Sequence, residues 1–84
     1  MSERIVGTVS NYFSKVGVAA VDLEDSVKTG DTLHFKGAHT DFTQPLESMQ
    51  VEHEDVERAE AGSQVGIKVS DRVRPGDTVS VVTD

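Results

Sequence analysis

Cysteine and tryptophan are absent from this 84-residue chain, and no stretch approaches the roughly 20 apolar residues of a membrane-spanning helix. Without cysteine, neither disulfides nor Cys-ligated zinc can supplement the core, and a reducing cytoplasm is the expected location. The segment from Met1 to Val9 lacks the basic region and apolar run of a secretory signal. These absences argue against export and membrane insertion.

Positive charge is also scarce, since 8 basic residues face 15 acidic ones and the net charge is -7. Such a field repels phosphate backbones and anionic lipid, so nucleic-acid binding would require a local basic patch. The acids are densest from Glu47 to Glu60, which is typical of a solvated face. A second interpretation is adaptation to a salty cytoplasm, where the screening length falls to about 3 Å at 1 M salt.

One phrase occurs twice, in residues 27–35 and 73–81. Each copy reads valine, a base, one further residue and Gly-Asp-Thr, followed by alternating apolar positions. Glycine tolerates positive φ, and aspartate accepts local backbone hydrogen bonds as a strand begins. Both copies therefore predict a tight turn that leads into a strand, with Leu33 and Phe35 of the first copy matching Val79 and Val81 of the second.

Six strand-like segments lie between turn signals. The alternation of apolar residues slips between Leu46 and Met49, which predicts a bulge near Glu47 and Ser48, and Pro45 places this part at a sheet edge or at that irregularity. The six segments are Arg4 to Phe13, Val16 to Leu23, Asp31 to Lys36, Asp41 to Glu52, Gln64 to Val69 and Asp77 to Val82.

Residues 53–61 alone have helical composition, but they are too few for a stable isolated helix. We expect a loop there, with at most one helical turn, whose Val56 and Ala59 fold back on the core. Short strands entered through two equivalent turns favour a closed or nearly closed six-stranded β-barrel. The predicted barrel is one domain spanning residues 1–84, because a chain this short cannot divide its core.

Several phrases resemble domain 2 of elongation factor Tu and its relatives. They are Gly7-Thr8-Val9, Gly17 to Val21, Val27 to Asp31, Leu46 to Met49 and Ala59 to Ile67. Two more, Tyr12 to Val18 and Leu46 to His53, resemble even more closely the small C-terminal barrel of collagenase-like peptidases, several of which resemble tRNA-modification enzymes. The resemblance implies an all-β barrel of the translation-protein type that works beside a GTPase or catalytic domain. The chain has no Gly-rich phosphate loop ending in Lys-Ser or Lys-Thr, so no nucleotide is expected.

The histidines do not indicate a metal site. One alternates outward on a strand, one lies in a turn and one begins the acidic loop, so no two have ligand spacing on one element. We expect three surface histidines, with no metal and no cofactor. They are His34, His39 and His53.

Catalytic patterns are equally weak. No serine is framed by a nucleophile-elbow motif, and carboxylates such as Asp22, Glu24 and Asp25 precede a turn, where solvation explains them. We therefore expect that the chain has no catalytic residues and that it is not an enzyme. The serines considered are Ser14, Ser48 and Ser63.

Two less acidic patches are candidate contacts with RNA or a partner protein. Aromatic faces can stack on bases while cations neutralise phosphates. The alternative is that Tyr12 and Phe13 cap the barrel and that the cations balance neighbouring acids. The patches comprise Tyr12, Phe13 and Lys15 near the first hairpin, and Lys68, Arg72 and Arg74 before the last strand.

The leading prediction of function is a stand-alone, non-catalytic binding module that docks to RNA, the ribosome or a translation-related partner. The alternative is an accessory domain that assists a separate peptidase-like or tRNA-modifying catalytic subunit. An accessory domain can leave substrate contact to its partner. Net acidity therefore mildly favours the alternative.

Overall fold

The computed structural model describes residues 2–83, and β-strands are the regular elements of that range. The strands are β1 (Ser2–Phe13), β2 (Val18–Leu23), β3 (Val27–Lys28), β4 (Thr32–Lys36), β5 (Asp41–Pro45), β6 (Met49–Val51), β7 (Glu54–Val56), β8 (Arg58–Ala59), β9 (Gln64–Lys68) and β10 (Thr78–Thr83). The predicted all-β class is confirmed. The same residues include no helix that could span a membrane.

Eight strands form one antiparallel sheet in the order β5-β4-β10-β1-β2-β9-β6-β7, and β3 pairs with β8 in a second sheet. Within residues 2–83 the end strands β5 and β7 do not pair with each other. The prediction of six strands was therefore wrong, and closure into a barrel is not confirmed. The count was too low because β3, β7 and β8 are only two or three residues long, which is too short for an alternating pattern to develop.

A side chain links β5 to the end of β9. The Gln44 side-chain amide donates to the carbonyl of Lys68 at 2.8 Å, and its oxygen accepts the Ser70 backbone N–H at 2.8 Å. The two segments are thus linked by one side-chain carboxamide and not by a ladder of backbone hydrogen bonds.

Strand β1 organises the sheet because it pairs with β10 along its first half and with β2 along its second. Its register shifts between Ile5 and Gly7 against β10, and between Val9 and Asn11 against β2. Such bulges bend a strand and increase its twist. The β10 ladder begins with Ser2 opposite Thr83.

The inward positions of the two repeat strands meet in the core. Phe35 pairs with Val79 and Leu33 with Val81, and all four side chains are buried, as predicted. Phe35 also stacks on the partly buried ring of Phe42, with ring centroids 5.1 Å apart. Burial of such large apolar groups supplies most of the stabilisation of a domain this small.

The repeated phrase forms the same turn twice. Gly30 and Gly76 have φ values of 98° and 96°, in the region that favours glycine. Oδ2 of Asp31 accepts the Lys28 N–H at 3.0 Å, and Oδ2 of Asp77 accepts the Arg74 N–H at 2.8 Å. The predicted turns are confirmed, and they lead into β4 and β10, which pair with each other.

The segment predicted as one bulged strand from Asp41 to Glu52 is instead two strands, because the chain leaves one end of the sheet after β5 and joins the other end at β6. Strand β5 ends at Pro45 and β6 begins at Met49, while Leu46 and Met49 are both buried. The edge position expected from Pro45 is confirmed because β5 ends the sheet.

The loop predicted for residues 53–61 was wrong, since β7 and β8 occupy most of it. Glu52 and His53, with φ of 51° and 67°, form the two-residue turn between β6 and β7. Hairpin turns with two positive φ values usually contain Asn-Gly or Asp-Gly, so this sequence carries no hairpin signal. Val56 and Ala59 do pack on the core, as expected.

The small β3–β8 sheet has one apolar pair and one charged pair. Val27 faces Ala59, and both are buried, whereas Lys28 faces Arg58, and both are exposed. The apolar pair joins the core, while the charged pair is presented to solvent.

Candidate functional site

The turn between β1 and β2 carries two exposed apolar side chains. The carbonyl of Phe13 accepts the N–H groups of Val16 and Gly17 at 3.2 and 2.8 Å, which closes the turn. Phe13 is 48% exposed and Val16 is 61% exposed. We call residues 13–17 the hairpin tip. The tip therefore holds two of the three large hydrophobic side chains that are exposed among residues 2–83, the third being Ile5.

The structure separates the two aromatic residues predicted to act together. Tyr12 pairs with Ala19, whose other neighbour is the buried Ile67, and the Tyr12 ring packs against the core. Phe13 has the opposite orientation because successive strand residues alternate between faces. The capping alternative therefore describes Tyr12, whereas Phe13 is available to a partner.

Lys68 lies on the same outer face as Phe13. Phe13, Val18 and Lys68 are cross-strand partners on β1, β2 and β9. They place an exposed ring and an ammonium group two strands apart, roughly 10 Å at the usual strand spacing. Lys15 is exposed within the hairpin tip.

Arg72 and Arg74 lie in the loop between β9 and β10, and both are exposed. The backbone N–H of Arg74 is used by the second repeated turn. Phe13 and Lys68 thus lie on one face, whereas the two arginines lie on a loop. RNA contact by these residues stays a prediction.

His34 lies on the outer face of β4 between two carboxylates. Its Nδ1 lies 2.6 Å from Oε1 of Glu3, and its Nε2 lies 2.6 Å from Oδ1 of Asp41. Ionised carboxylates only accept hydrogen bonds, so this geometry stabilises the protonated ring, in which both nitrogens donate. The side chain is only 15% exposed. The outward position predicted from alternation with Leu33 and Phe35 is confirmed, but the two partners were not predicted, because they lie on β1 and β5 and Glu3 is 31 residues away in sequence.

The two carboxylates set the charge state of this histidine. Hydrogen bonding to Asp41, and next to Glu3, raises the pKa of His34, while the hydrogen bond from His34 lowers the pKa of Asp41. Both ring nitrogens are occupied, so neither offers a lone pair to a metal or a proton. Among residues 2–83 no cluster of three or more His, Asp or Glu side chains is arranged to hold a metal ion. His39 and His53 are exposed in turns.

A recess of about 210 Å³ lies where the small sheet meets β1. Sequence reasoning missed it because it depends on β3 and β8, which no alternating pattern marks. The recess, which we call the basic pocket, is lined by Arg4, Ser26, Val27, Lys28, Asp31 and Arg58.

These features define a small all-β module with an apolar hairpin tip and a basic pocket. In comparisons with known proteins, the chain is similar to sequences that are named as a protease and a collagenase. The chain is 39% identical over 80 residues to an uncharacterized protease of Methanocaldococcus jannaschii, and 35% identical over 74 residues to a collagenase of Porphyromonas gingivalis. The alignments cover 94% and 86% of this chain, but the chain spans only about a fifth of the length of these curated relatives.

The solved structures that resemble this chain also come from a peptidase-related protein. Two crystal structures of the C-terminal domain of a protein from Geobacillus thermoleovorans assigned to the U32 peptidases superpose with TM-scores of 0.86 and 0.88. Their sequences are 25% and 24% identical to this chain, and the matches cover 90% and 95% of it and 96% and 93% of the solved domain. No known protein-family profile matches the chain. The comparisons support the predicted likeness to the collagenase-like barrel, whereas the likeness to elongation factor Tu stays a prediction.

Proposed function

We propose that this chain is a non-catalytic accessory domain that docks on a peptidase-like catalytic subunit. The observation that carries the proposal is the extent of the similarity. Nearly the whole chain aligns with about a fifth of each relative, and its fold is that of a domain crystallised apart from the rest of its protein. About four fifths of each relative therefore lie outside the similarity and are available to perform the chemistry.

The side chains of this domain favour binding over catalysis. His34, which could otherwise act as an acid or base, has both ring nitrogens bonded to carboxylates. A general base must have a lone pair within reach of a substrate proton. This arrangement suits a structural role for His34.

The hairpin tip is the docking surface that we assign to the domain. Phe13 and Val16 present apolar area at a turn that a backbone hydrogen-bond pair holds in place. Rigid apolar anchors dominate the free energy of most protein interfaces, because little conformational entropy is lost when they are buried. Lys15 lies between Phe13 and Val16 in the sequence, and its positive charge orients the docking partner.

Affinity purification of the tagged chain from its native host, with and without ribonuclease, tests the proposal. We expect a protein with peptidase-like sequence to be retained after ribonuclease, and to be lost when Phe13→Asp and Val16→Asp are introduced. Ile5→Asp is the matched control, because Ile5 is 59% exposed but lies toward the other end of β1. Equal retention by all variants would refute docking through the hairpin tip.

A second candidate is the RNA or ribosome-binding module expected from the translation-factor likeness. The position of Phe13 and Lys68 on one outer face favours it, since a stacking ring and a cation are the parts of a single-strand binding surface. In the same experiment this candidate requires ribosomal proteins or tRNA that disappear with ribonuclease. A peptidase-like partner that persists would exclude it as the main role.

A further inference from the structure

The basic pocket concentrates three of the eight cations of an otherwise acidic chain. Arg4 comes from β1, Lys28 from β3 and Arg58 from β8. Their convergence requires three segments that are distant in sequence to meet at one point. A net charge of -7 makes such local clustering of positive charge unexpected from composition alone.

Two of these cations oppose each other directly. Lys28 and Arg58 are cross-strand partners in the β3–β8 ladder. Like charges at facing positions of an antiparallel pair are destabilising. Among residues 2–83 Lys28 has no carboxylate within 4 Å of its ammonium group. Among the described residues Lys28 is therefore the cation of the pocket that an anion would have to neutralise, since Arg4 and Arg58 each have a carboxylate partner.

The two guanidinium groups are held in place by other contacts. Arg4 forms an ion pair with Asp25 at 3.2 Å and donates to the Ser26 carbonyl at 3.2 Å. The Nε of Arg58 donates to Glu60 at 2.8 Å, and its terminal nitrogens make no other hydrogen bond within the described residues. Each guanidinium keeps N–H donors that these contacts leave unused.

We propose that the basic pocket binds a phosphate group. Guanidinium groups match phosphate oxygens with paired N–H donors, and an ammonium group adds a compact charge. The volume of about 210 Å³ is smaller than the roughly 300 Å³ at which pockets for whole small molecules begin, so the pocket accepts a single group. The one carboxylate in its lining, Asp31, has an oxygen committed to the Lys28 backbone N–H.

This site is separate from the hairpin tip. Arg4 lies near the start of β1 opposite Val81 of β10, whereas Phe13 lies at its end opposite Val18 of β2, and no residue of the hairpin tip lines the pocket. Loss of docking through the tip would therefore leave the phosphate site intact. The reverse also holds, so the two proposals can fail independently.

Amide NMR titration of the full chain at low salt tests the proposal with inorganic phosphate, a nucleoside monophosphate and a short single-stranded RNA. We expect saturable shifts confined to Arg4, residues 26–31 and Arg58. Lys28→Gln is expected to weaken binding about tenfold, since it removes a charge-assisted contact. Lys36→Gln is the matched control, because it makes the same change at an exposed position on β4 and is expected to bind as the unmodified chain does.

The probes identify the source of the phosphate. Saturation by RNA alone assigns the pocket to a phosphodiester backbone, whereas saturation by phosphate and the monophosphate without RNA assigns it to a small phosphorylated molecule. Acetate at equal concentration is the counter-probe. Equal shifts with acetate, unsaturable shifts spread over the surface, or unchanged affinity in Lys28→Gln would each overturn the proposal.

Discussion

Leu46 and Val9 hold the two copies of the repeated turn through the same pair of backbone hydrogen bonds. Leu46 donates to the carbonyl of Asp31 at 2.7 Å and accepts from Gly30 at 2.9 Å. Val9 donates to the carbonyl of Asp77 at 2.8 Å and accepts from Gly76 at 2.8 Å. Both side chains are buried, so each turn is fixed to the core by a buried residue from another segment of the chain.

The equivalence extends into the strands that follow the turns. His34 and Ser80 occupy matching positions in the two copies, and they face each other in the β4–β10 ladder. Leu33 opposite Val81 and Phe35 opposite Val79 complete the pattern on either side. The repeat in the sequence thus becomes a local two-fold relationship in the structure, centred on the pair of His34 and Ser80.

The aspartate of the second turn is expected to contribute more stability than that of the first. Asp77 is 5% exposed, so Asp77→Ala leaves the Arg74 N–H without a partner in a nearly dry site, at a cost of about 1–3 kcal/mol. Asp31 is half-buried, and water can replace its carboxylate in Asp31→Ala. Urea unfolding of both variants measures the difference. A greater loss in Asp31→Ala would contradict it.

Gly37 is expected to be intolerant of a methyl group for reasons of space. A Cβ at this position would overlap Oδ1 of Asp77. Gly37→Ala should therefore displace the carboxylate and cost about 1–3 kcal/mol through loss of its hydrogen bond. A double-mutant cycle with Asp77→Ala provides the check, since the alanine at position 37 should add little once the carboxylate is gone. Additive losses would show that the two residues do not interact.

Truncation of two phenylalanines should separate stability from binding. Phe35 is fully buried, and Phe35→Ala is expected to cost about 3–5 kcal/mol, a large part of the stability of a small domain. Phe13→Ala makes the same chemical change at an exposed site and should leave the unfolding midpoint nearly unchanged. Thermal unfolding compares the two directly. A comparable loss from Phe13→Ala would mean that its ring is structural.

The bridge between Glu3, His34 and Asp41 should make stability depend on pH. The pKa of His34 is raised above 6.5, so the contribution of the protonated ring is complete below that pH and is lost as the pH rises through the raised value. The pKa of Asp41 is lowered below 3.8, so its contribution is complete above 3.8 and is lost as the pH falls through the lowered value. The bridge therefore stabilises the fold most at pH values above 3.8 and below 6.5, where both contributions are complete.

Melting temperatures of the unmodified chain and of His34→Gln check this dependence. The difference between them should be greatest near about pH 5 and should shrink as the pH rises through the raised pKa of the ring. His39→Gln, at an exposed turn position, serves as the control and should show no such trend. A difference that is constant with pH would mean that packing, rather than charge, accounts for the effect of His34.

Local signals in the sequence were enough to predict the turns and most long strands. Gly30 and Gly76 mark their turns by residue type, and Pro45 marks an edge, because each acts on its own backbone. The turn at Glu52 and His53 has no such residues, so β7 could not be predicted. Its conformation is stabilised instead by the pairing of β6 with β7 and by Val56 against the core.

The candidate sites were less predictable because they depend on contacts between distant segments. Phe13 and Lys15 could be selected from one hairpin, although the face that each occupies required the register of β1. The basic pocket combines Arg4 with Lys28 and Arg58, which no motif in the sequence connects. Only the β3–β8 pairing brings them together.

The pairing of Ser2 with Thr83 has a mechanical consequence. Their hydroxyl groups are 2.7 Å apart at the open end of the antiparallel β1–β10 ladder. Tension applied at these two residues pulls the strands apart from that end, so it loads the ladder pairs in succession instead of shearing them together. We expect the domain to yield at low force when it is stretched between Ser2 and Thr83, with β1 and β10 peeling apart first.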